Sequence, residues 1–100
     1  MGALAATVRD NSATHRYELL LDGDLVGDLL YRAKDNVVTL IHTEVAPQLE
    51  GHGLGERLVA GALDDIRERG LQIVPLCPFV AAFIRRHPDY ENLVKSQGER

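Results

Sequence analysis

The run Gln48-Leu49-Glu50-Gly51-His52-Gly53-Leu54-Gly55 decides how this chain folds, because the hydrophobic period changes across it. Before it, Val37 to Val45 is rich in β-branched residues and is closed by Pro47, which cannot donate to a sheet ladder; the stretch reads as a strand. After it, Leu54, Leu58, Val59, Ala62, Leu63 and Ile66 recur at three- and four-residue steps, the apolar stripe of an amphipathic helix. Charged Glu56, Arg57, Asp64, Asp65, Arg67, Glu68 and Arg69 take the other face, and Gly70 stands where such a helix ends. Gly61 inside the helix costs about 1 kcal/mol relative to Ala, so close packing or tolerance must account for it. Between strand and helix, the glycines at 51, 53 and 55 let backbone N–H groups converge without interference from a Cβ. The helix they open adds the positive end of its dipole, and the whole reads as an anion cradle. The same glycines also suit a plain tight connection. No Gly-Lys-Ser/Thr is present, which excludes the nucleotide triphosphatase loop, and Glu56 stands where a third Rossmann glycine belongs.

Working outward, Tyr17 to Leu21 and Leu25 to Tyr31 read as two more strands, parted by Asp22-Gly23-Asp24 and followed by the turn Lys34-Asp35-Asn36. With Val37 to Val45 they predict an antiparallel meander of three strands. Residues 1–13 carry no sustained period and read as a flexible N-terminal tail. Leu71 to Leu76 is a short, almost wholly apolar run, as expected of a strand covered on both faces. Pro78 suits the first position of a second helix, Phe79 to about Arg86, which His87-Pro88 stops. The helix over 54–69 then crosses between parallel neighbours, 37–45 and 71–76. The expected class is α+β: an antiparallel β-meander followed by α-β-α with one parallel strand pair. It forms one domain over 14–96, with 97–100 as a C-terminal tail.

The whole chain of 100 residues suits a single domain. Eleven Lys and Arg against 15 Asp and Glu leave a net charge of −4, which argues against general nucleic-acid binding, since that needs a basic footprint. No apolar run approaches the roughly 18 residues that span a bilayer, so no membrane partner is expected. Cys77 is the single cysteine and has no internal disulfide partner, which fits a reducing cytoplasm. A monomer is the default expectation.

The spacing Gln48-x-x-Gly51-x-Gly53 resembles the Q/R-x-x-G-x-G/A loop of the general N-acetyltransferase superfamily, which grips the pyrophosphate of acetyl-coenzyme A. Three further segments resemble its small single-domain YjdJ-type branch: Ile41-His42-Thr43-Glu44-Val45, Pro75-Leu76-Cys77-Pro78-Phe79-Val80, and Arg86-His87-Pro88-Asp89-Tyr90. The similarity runs from about Tyr17 to Val94. It implies a minimal acyl-coenzyme A N-acyltransferase fold, with acetyl-coenzyme A as donor, no metal, and direct transfer of acetyl to a primary amine. The pantetheine arm would lie along His42, Thr43, Glu44 and Val45. The pyrophosphate would sit on Gln48, Glu50, Gly51, His52, Gly53, Leu54 and Gly55, and the thioester close to Cys77, with Phe79, Phe83 and Arg86 along the coenzyme's path. One departure stands out. Larger relatives place a Tyr on the last helix as acid to the leaving thiolate, and Phe83 stands there instead.

Candidate chemistry gathers on few side chains. Cys77 immediately precedes Pro78 at an expected helix start, where exposed N–H groups favour a thiolate. It reads as a nucleophile, as a hydrogen-bonding group beside the coenzyme sulfur, or as a small core residue. His42 alternates with Val38 and Leu40, which predicts a shared face, and imidazole is the side chain suited to deprotonating an ammonium near neutral pH. Glu44, two residues on, would orient His42 or attract a cationic amine. His52 and Arg57 stand where phosphate would touch them. Arg85 and Arg86 stand where the 3′-phosphate of the coenzyme's adenosine would meet a guanidinium. The acidic balance favours a cationic acceptor such as a lysine side chain or a polyamine. Two other readings stay open: a non-catalytic module that binds or senses coenzyme A, and a small protein-interaction domain whose glycine loop is only a connector.

Overall fold

The computed structural model describes residues 5–96. Within them one five-stranded sheet runs in the order β1-β2-β3-β4-β5. Its strands are β1 (Ala6–Asn11), β2 (Arg16–Leu21), β3 (Asp24–Lys34), β4 (Val37–Val45) and β5 (Gln72–Pro75). Helix α1 (Leu54–Glu68) joins β4 to β5, and α2 (Pro78–Arg86) follows β5. The first four strands pair antiparallel, and β4 pairs parallel with β5 from Val37↔Gln72 to Leu40↔Pro75. This is the expected α+β architecture with its single parallel pair.

One expectation is corrected. The stretch read as a loose tail contains β1, which pairs with β2 from Ala6↔Leu21 to Asn11↔Arg16, so the meander has four strands rather than three. What holds β1 is tertiary. A Cβ built on Gly61 would lie 2.6 Å from Cγ2 of Val8, so α1 rides directly over this strand, and close packing explains that glycine. The parts of the expected tails at 1–4 and 97–100 lie outside the described residues.

Two hairpins tighten the meander. Asp22 (φ 51°) with Gly23 (φ 88°), and Asp35 (φ 53°) with Asn36 (φ 67°), put positive φ at both central positions. That is the turn whose twist matches antiparallel strands. A bulge interrupts β3 against β2 at Val26, since Leu19 faces Gly27 while Leu20 faces Leu25. A second interrupts β4 against β3 at Ile41, since Leu30 faces His42 while Tyr31 faces Leu40. An extra residue reverses which way the following side chains point.

Tyr17, Leu19, Leu29, Tyr31, Val38, Leu40 and Ile73 form one sheet face, and they share a single core with the apolar stripes of α1 and α2. Among the described residues the other face carries no helix. There Glu18 is buried but accepts hydrogen bonds from Arg9 Nε at 2.8 Å and Asn11 Nδ2 at 3.0 Å. The bond from Asn11, and then that from Arg9, hold its carboxyl below the usual range.

Polar contacts fasten the C-terminal half of α1. The Tyr17 hydroxyl donates to Oδ2 of Asp65 at 2.7 Å, and that of Tyr31 to Oδ1 of Asp10 at 2.6 Å. Arg69 lies between the two carboxylates, 3.3 Å from Asp10 and 3.0 Å from Asp65. Burial, reinforced by Asp65, raises the Tyr17 phenol far above its ordinary range, and burial with Asp10 pushes Tyr31 up to about 12. Tyr90 donates to Asp64 at 2.7 Å, and Arg67 donates to the Asp89 carbonyl at 2.6 Å.

Candidate functional site

The site forms where the parallel pair comes apart. Pairing of β4 with β5 ends at Leu40↔Pro75, and the Cys77 N–H closes it by donating to the Leu40 carbonyl at 2.9 Å. Beyond that point β4 runs on from Ile41 to Val45 with no β5 partner, leaving strand backbone available to a ligand.

A cavity of about 470 Å³ opens there. Its walls are Thr43 and Val45 of β4, then Leu49, Glu50, Gly51 and Gly53 of the loop, then Leu54, Gly55 and Glu56 of α1, with Phe79 of α2 opposite. Gly51 and Gly53 have φ of 88° and 74°, the left-handed region that glycine adopts without strain, and a Cβ on either would meet nothing within 4 Å. Gly53 caps α1 and provides no side-chain hydrogen bond, and the first intrahelical bond runs from Arg57 N to Gly53 O. The N–H groups of Leu54, Gly55 and Glu56 are therefore the orphan donors of the helix start, on residues that line the cavity. An anionic group such as a diphosphate fits this arrangement. A Cβ on Gly55 would lie 3.0 Å from the Phe79 ring, so glycine is what lets the aromatic wall stand this close.

A second cavity of about 390 Å³ lies between α1 and the segment from α2 to Tyr90. It shares Gly53 and Glu56 with the first and adds Arg57, Phe83, His87 and Tyr90. The Phe83 and His87 ring centroids are 4.3 Å apart, and those of Phe83 and Tyr90 are 5.7 Å apart.

The expected site residues divide into groups. Thr43, Val45, Glu50, Gly51, Gly53, Leu54, Gly55 and Phe79 line the first cavity. Gln48 sits exposed in a single 3₁₀ turn, Pro47–Leu49, and His52 is exposed at the loop's crest. Cys77 lies under Thr43, its Sγ 3.3 Å from the Thr43 Oγ1 and only 2% exposed, so the threonine rather than the thiol meets the cavity. Phe83 belongs to the second cavity, and Arg86 pairs with Glu56 at 2.5 Å. Arg57 also lines the second cavity and reaches back to the Ala6 carbonyl at 3.4 Å.

His42 and Glu44 behave differently from the simple alternation expected of them. Because Ile41 is bulged, Val38 and Leu40 share their face with Thr43 and Val45, while His42 and Glu44 turn to the helix-free face. There they approach each other, Nε2 to Oε2 at 3.7 Å, and both are largely exposed. The strand end thus presents an uncharged pair to the cavity and a titratable pair to the opposite side. Leu49 and Glu56 also line the cavity and were not among the expected residues. An apolar residue inside an otherwise polar, glycine-rich loop was a readable signal for Leu49; Glu56 had none.

The model of the family described as GCN5-related N-acetyl-transferase matches residues 16–93. Among solved structures, a GCN5-like protein from Staphylococcus aureus is similar over 100% of this chain and 96% of its own, at 20% identity and a TM-score of 0.66. The ribosomal-protein-S18-alanine N-acetyltransferase of Escherichia coli is similar over 73% of this chain, at 19% identity and a TM-score of 0.58. This chain spans 50% of the length of that enzyme. The ribosomal-protein-alanine N-acetyltransferase of Brucella melitensis is similar at 20% identity and a TM-score of 0.53, over 85% of this chain and 66% of its own. At these identities the likeness is one of fold. No curated protein matches the chain.

Proposed function

The chain belongs to the GCN5-related N-acetyltransferase family, whose fold serves acyl-coenzyme A-dependent N-acetyl transfer, and from that premise we propose that it moves acetyl from acetyl-coenzyme A directly to a primary amine. The observation that carries this reading is the start of α1, where orphan N–H groups and open glycines face a cavity that runs on toward Thr43 at the strand splay. A diphosphate held at that start would leave the pantetheine arm to follow β4 inward.

Acetyl-coenzyme A supplies an activated acetyl group; starting from the neutral amine, transfer forms an N–C bond, breaks the C–S bond and passes one amine proton to the departing sulfur, so that the coenzyme leaves as its thiol. Orientation is one contribution such a cleft can make, since holding two reactants in place removes much of the entropic cost of their meeting. Thr43 is the hydrogen-bonding side chain of β4 facing the donor, and its contact with Cys77 fixes its rotamer. In this reading Cys77 acts through Thr43. His42 and Glu44 meet the acceptor from the helix-free side, Glu44 attracting a cationic amine and His42 taking its proton. Lysine side chains and polyamines are the acceptors whose charge suits that pair and the net charge of −4. The single cysteine fits a reducing compartment, and we place the protein in the cytoplasm.

Two measurements test the proposal. Acetyl-coenzyme A at about 100 times its Kd should stabilise the fold by about 2.7 kcal/mol in a thermal-shift series, and no shift would remove the coenzyme from the reading altogether. Release of free thiol over a panel of amines and lysine peptides should then rise with acceptor concentration. Binding with no release from any amine would make the domain a coenzyme sensor.

A further inference from the structure

The two cavities meet at Gly53 and Glu56, and one ion pair stands at that junction. Arg86, the last residue of α2, donates through Nη2 to Oε2 of Glu56 in the first turn of α1 at 2.5 Å. Among the described residues this is the sole side-chain hydrogen bond between the two helices. Both partners are about half exposed, at 51% and 47%. Solvent screens such a pair, so breaking it costs little.

Glu56 is favoured by the helix dipole, yet it also sets a negative charge on the rim of a cleft whose other features suit an anion. Arg86 neutralises that charge. It also neighbours His87, which lines the second cavity beside Phe83 and Tyr90, an aromatic wall next to the guanidinium of Arg57. A guanidinium at a helix end can swing between such positions, and a phosphomonoester offers it two charged oxygens in a forked geometry that a single carboxylate contact does not match.

We propose that the Glu56–Arg86 pair is an exchangeable latch: Arg86 leaves Glu56 for the 3′-phosphate of the coenzyme's nucleotide, and Glu56 tunes selectivity for that phosphate by competing for the same guanidinium. The inference rests on the coenzyme reading above and goes beyond it in assigning opposite roles to the two partners. In an ordinary structural ion pair, removing either side chain loses the same contact. In a latch, removing the carboxylate frees the guanidinium and lifts a repulsion, whereas removing the guanidinium strips the phosphate of its donor and leaves Glu56 uncompensated.

Isothermal titration of coenzyme A and 3′-dephospho-coenzyme A into the full chain and its variants separates these cases. Glu56→Gln should tighten coenzyme A binding about two- to fivefold, the range an exposed pair commands, and should tighten the dephospho compound less. Arg86→Gln should weaken coenzyme A about tenfold and scarcely change the dephospho compound, with Arg86→Lys between. Unchanged thermal midpoints in the three variants keep these as binding effects. Weaker binding in Glu56→Gln, or equal loss of both ligands in Arg86→Gln, overturns the latch alone. Failure of the wild-type chain to bind either ligand overturns the latch and the coenzyme reading together.

Discussion

The two ends of α1 are held in opposite ways. At its C-terminal end, Asp65 and Arg69 are tied to Tyr17 and Asp10, Asp64 holds Tyr90, and Arg67 holds the Asp89 carbonyl. At its N-terminal end the loop of glycines stands open, Gly55 packs against the Phe79 ring, and the one side-chain hydrogen bond to α2 among the described residues is the half-exposed pair of Glu56 with Arg86. The difference teaches how a short chain affords a cleft. Buried phenols bonded to carboxylates fix the helix at one end, so backbone donors at the other can stay free of protein partners and remain available to a ligand.

That contrast can be broken. The largest effect is expected from Gly61→Val, because its Cβ would fall 2.6 Å from Val8 and must push β1 from under the helix. Overpacking of this kind costs about 1–3 kcal/mol, and hydrogen exchange should show β1 amides losing protection before those of β4. Asp65→Ala comes next. It leaves the buried Tyr17 hydroxyl without an acceptor and Arg69 with one carboxylate fewer, a loss of about 1–3 kcal/mol in urea unfolding, while coenzyme affinity should stay near the wild-type value.

The pH dependence sharpens the same point. Tyr17 and Tyr31 are raised in the folded protein, so their contribution is complete below the ordinary phenol range near 10 and is lost as pH rises through the folded values, toward about 12 for Tyr31. Stability should therefore fall between about pH 10 and 12, and Tyr31→Phe should flatten that fall. Glu18 acts in the opposite direction: its lowered carboxyl contributes above the ordinary range and is lost as pH drops through its folded value. Smallest of all, Glu56→Gln should move the unfolding free energy by no more than about 0.5 kcal/mol, as befits an exposed residue at the open end.

Much of this was legible in the residues. The change of period at Gln48 to Gly55 located the strand, loop and helix that build the cleft, and eight of the expected coenzyme contacts line one cavity. Two things were hidden, for a common reason. β1 has no apolar run, because Ala6-Thr7-Val8-Arg9-Asp10-Asn11 is held by a helix glycine more than fifty positions away. His42 was expected on the face of Val38 and Leu40, because alternation assumes an unbroken ladder. The bulge that breaks it leaves Ile41 of β4 between the pairs Leu30↔His42 and Tyr31↔Leu40, a pairing with β3 that the β4 sequence alone does not display.

The bulge at Ile41 gives β4 two reading frames. Upstream of it the even-numbered side chains enter the core; downstream the odd-numbered ones turn inward while His42 and Glu44 look away. One surplus residue thus gives a single strand end two chemically distinct surfaces, an uncharged one of Thr43 and Val45 lining the cavity and an ionisable one of His42 and Glu44 turned to the opposite side.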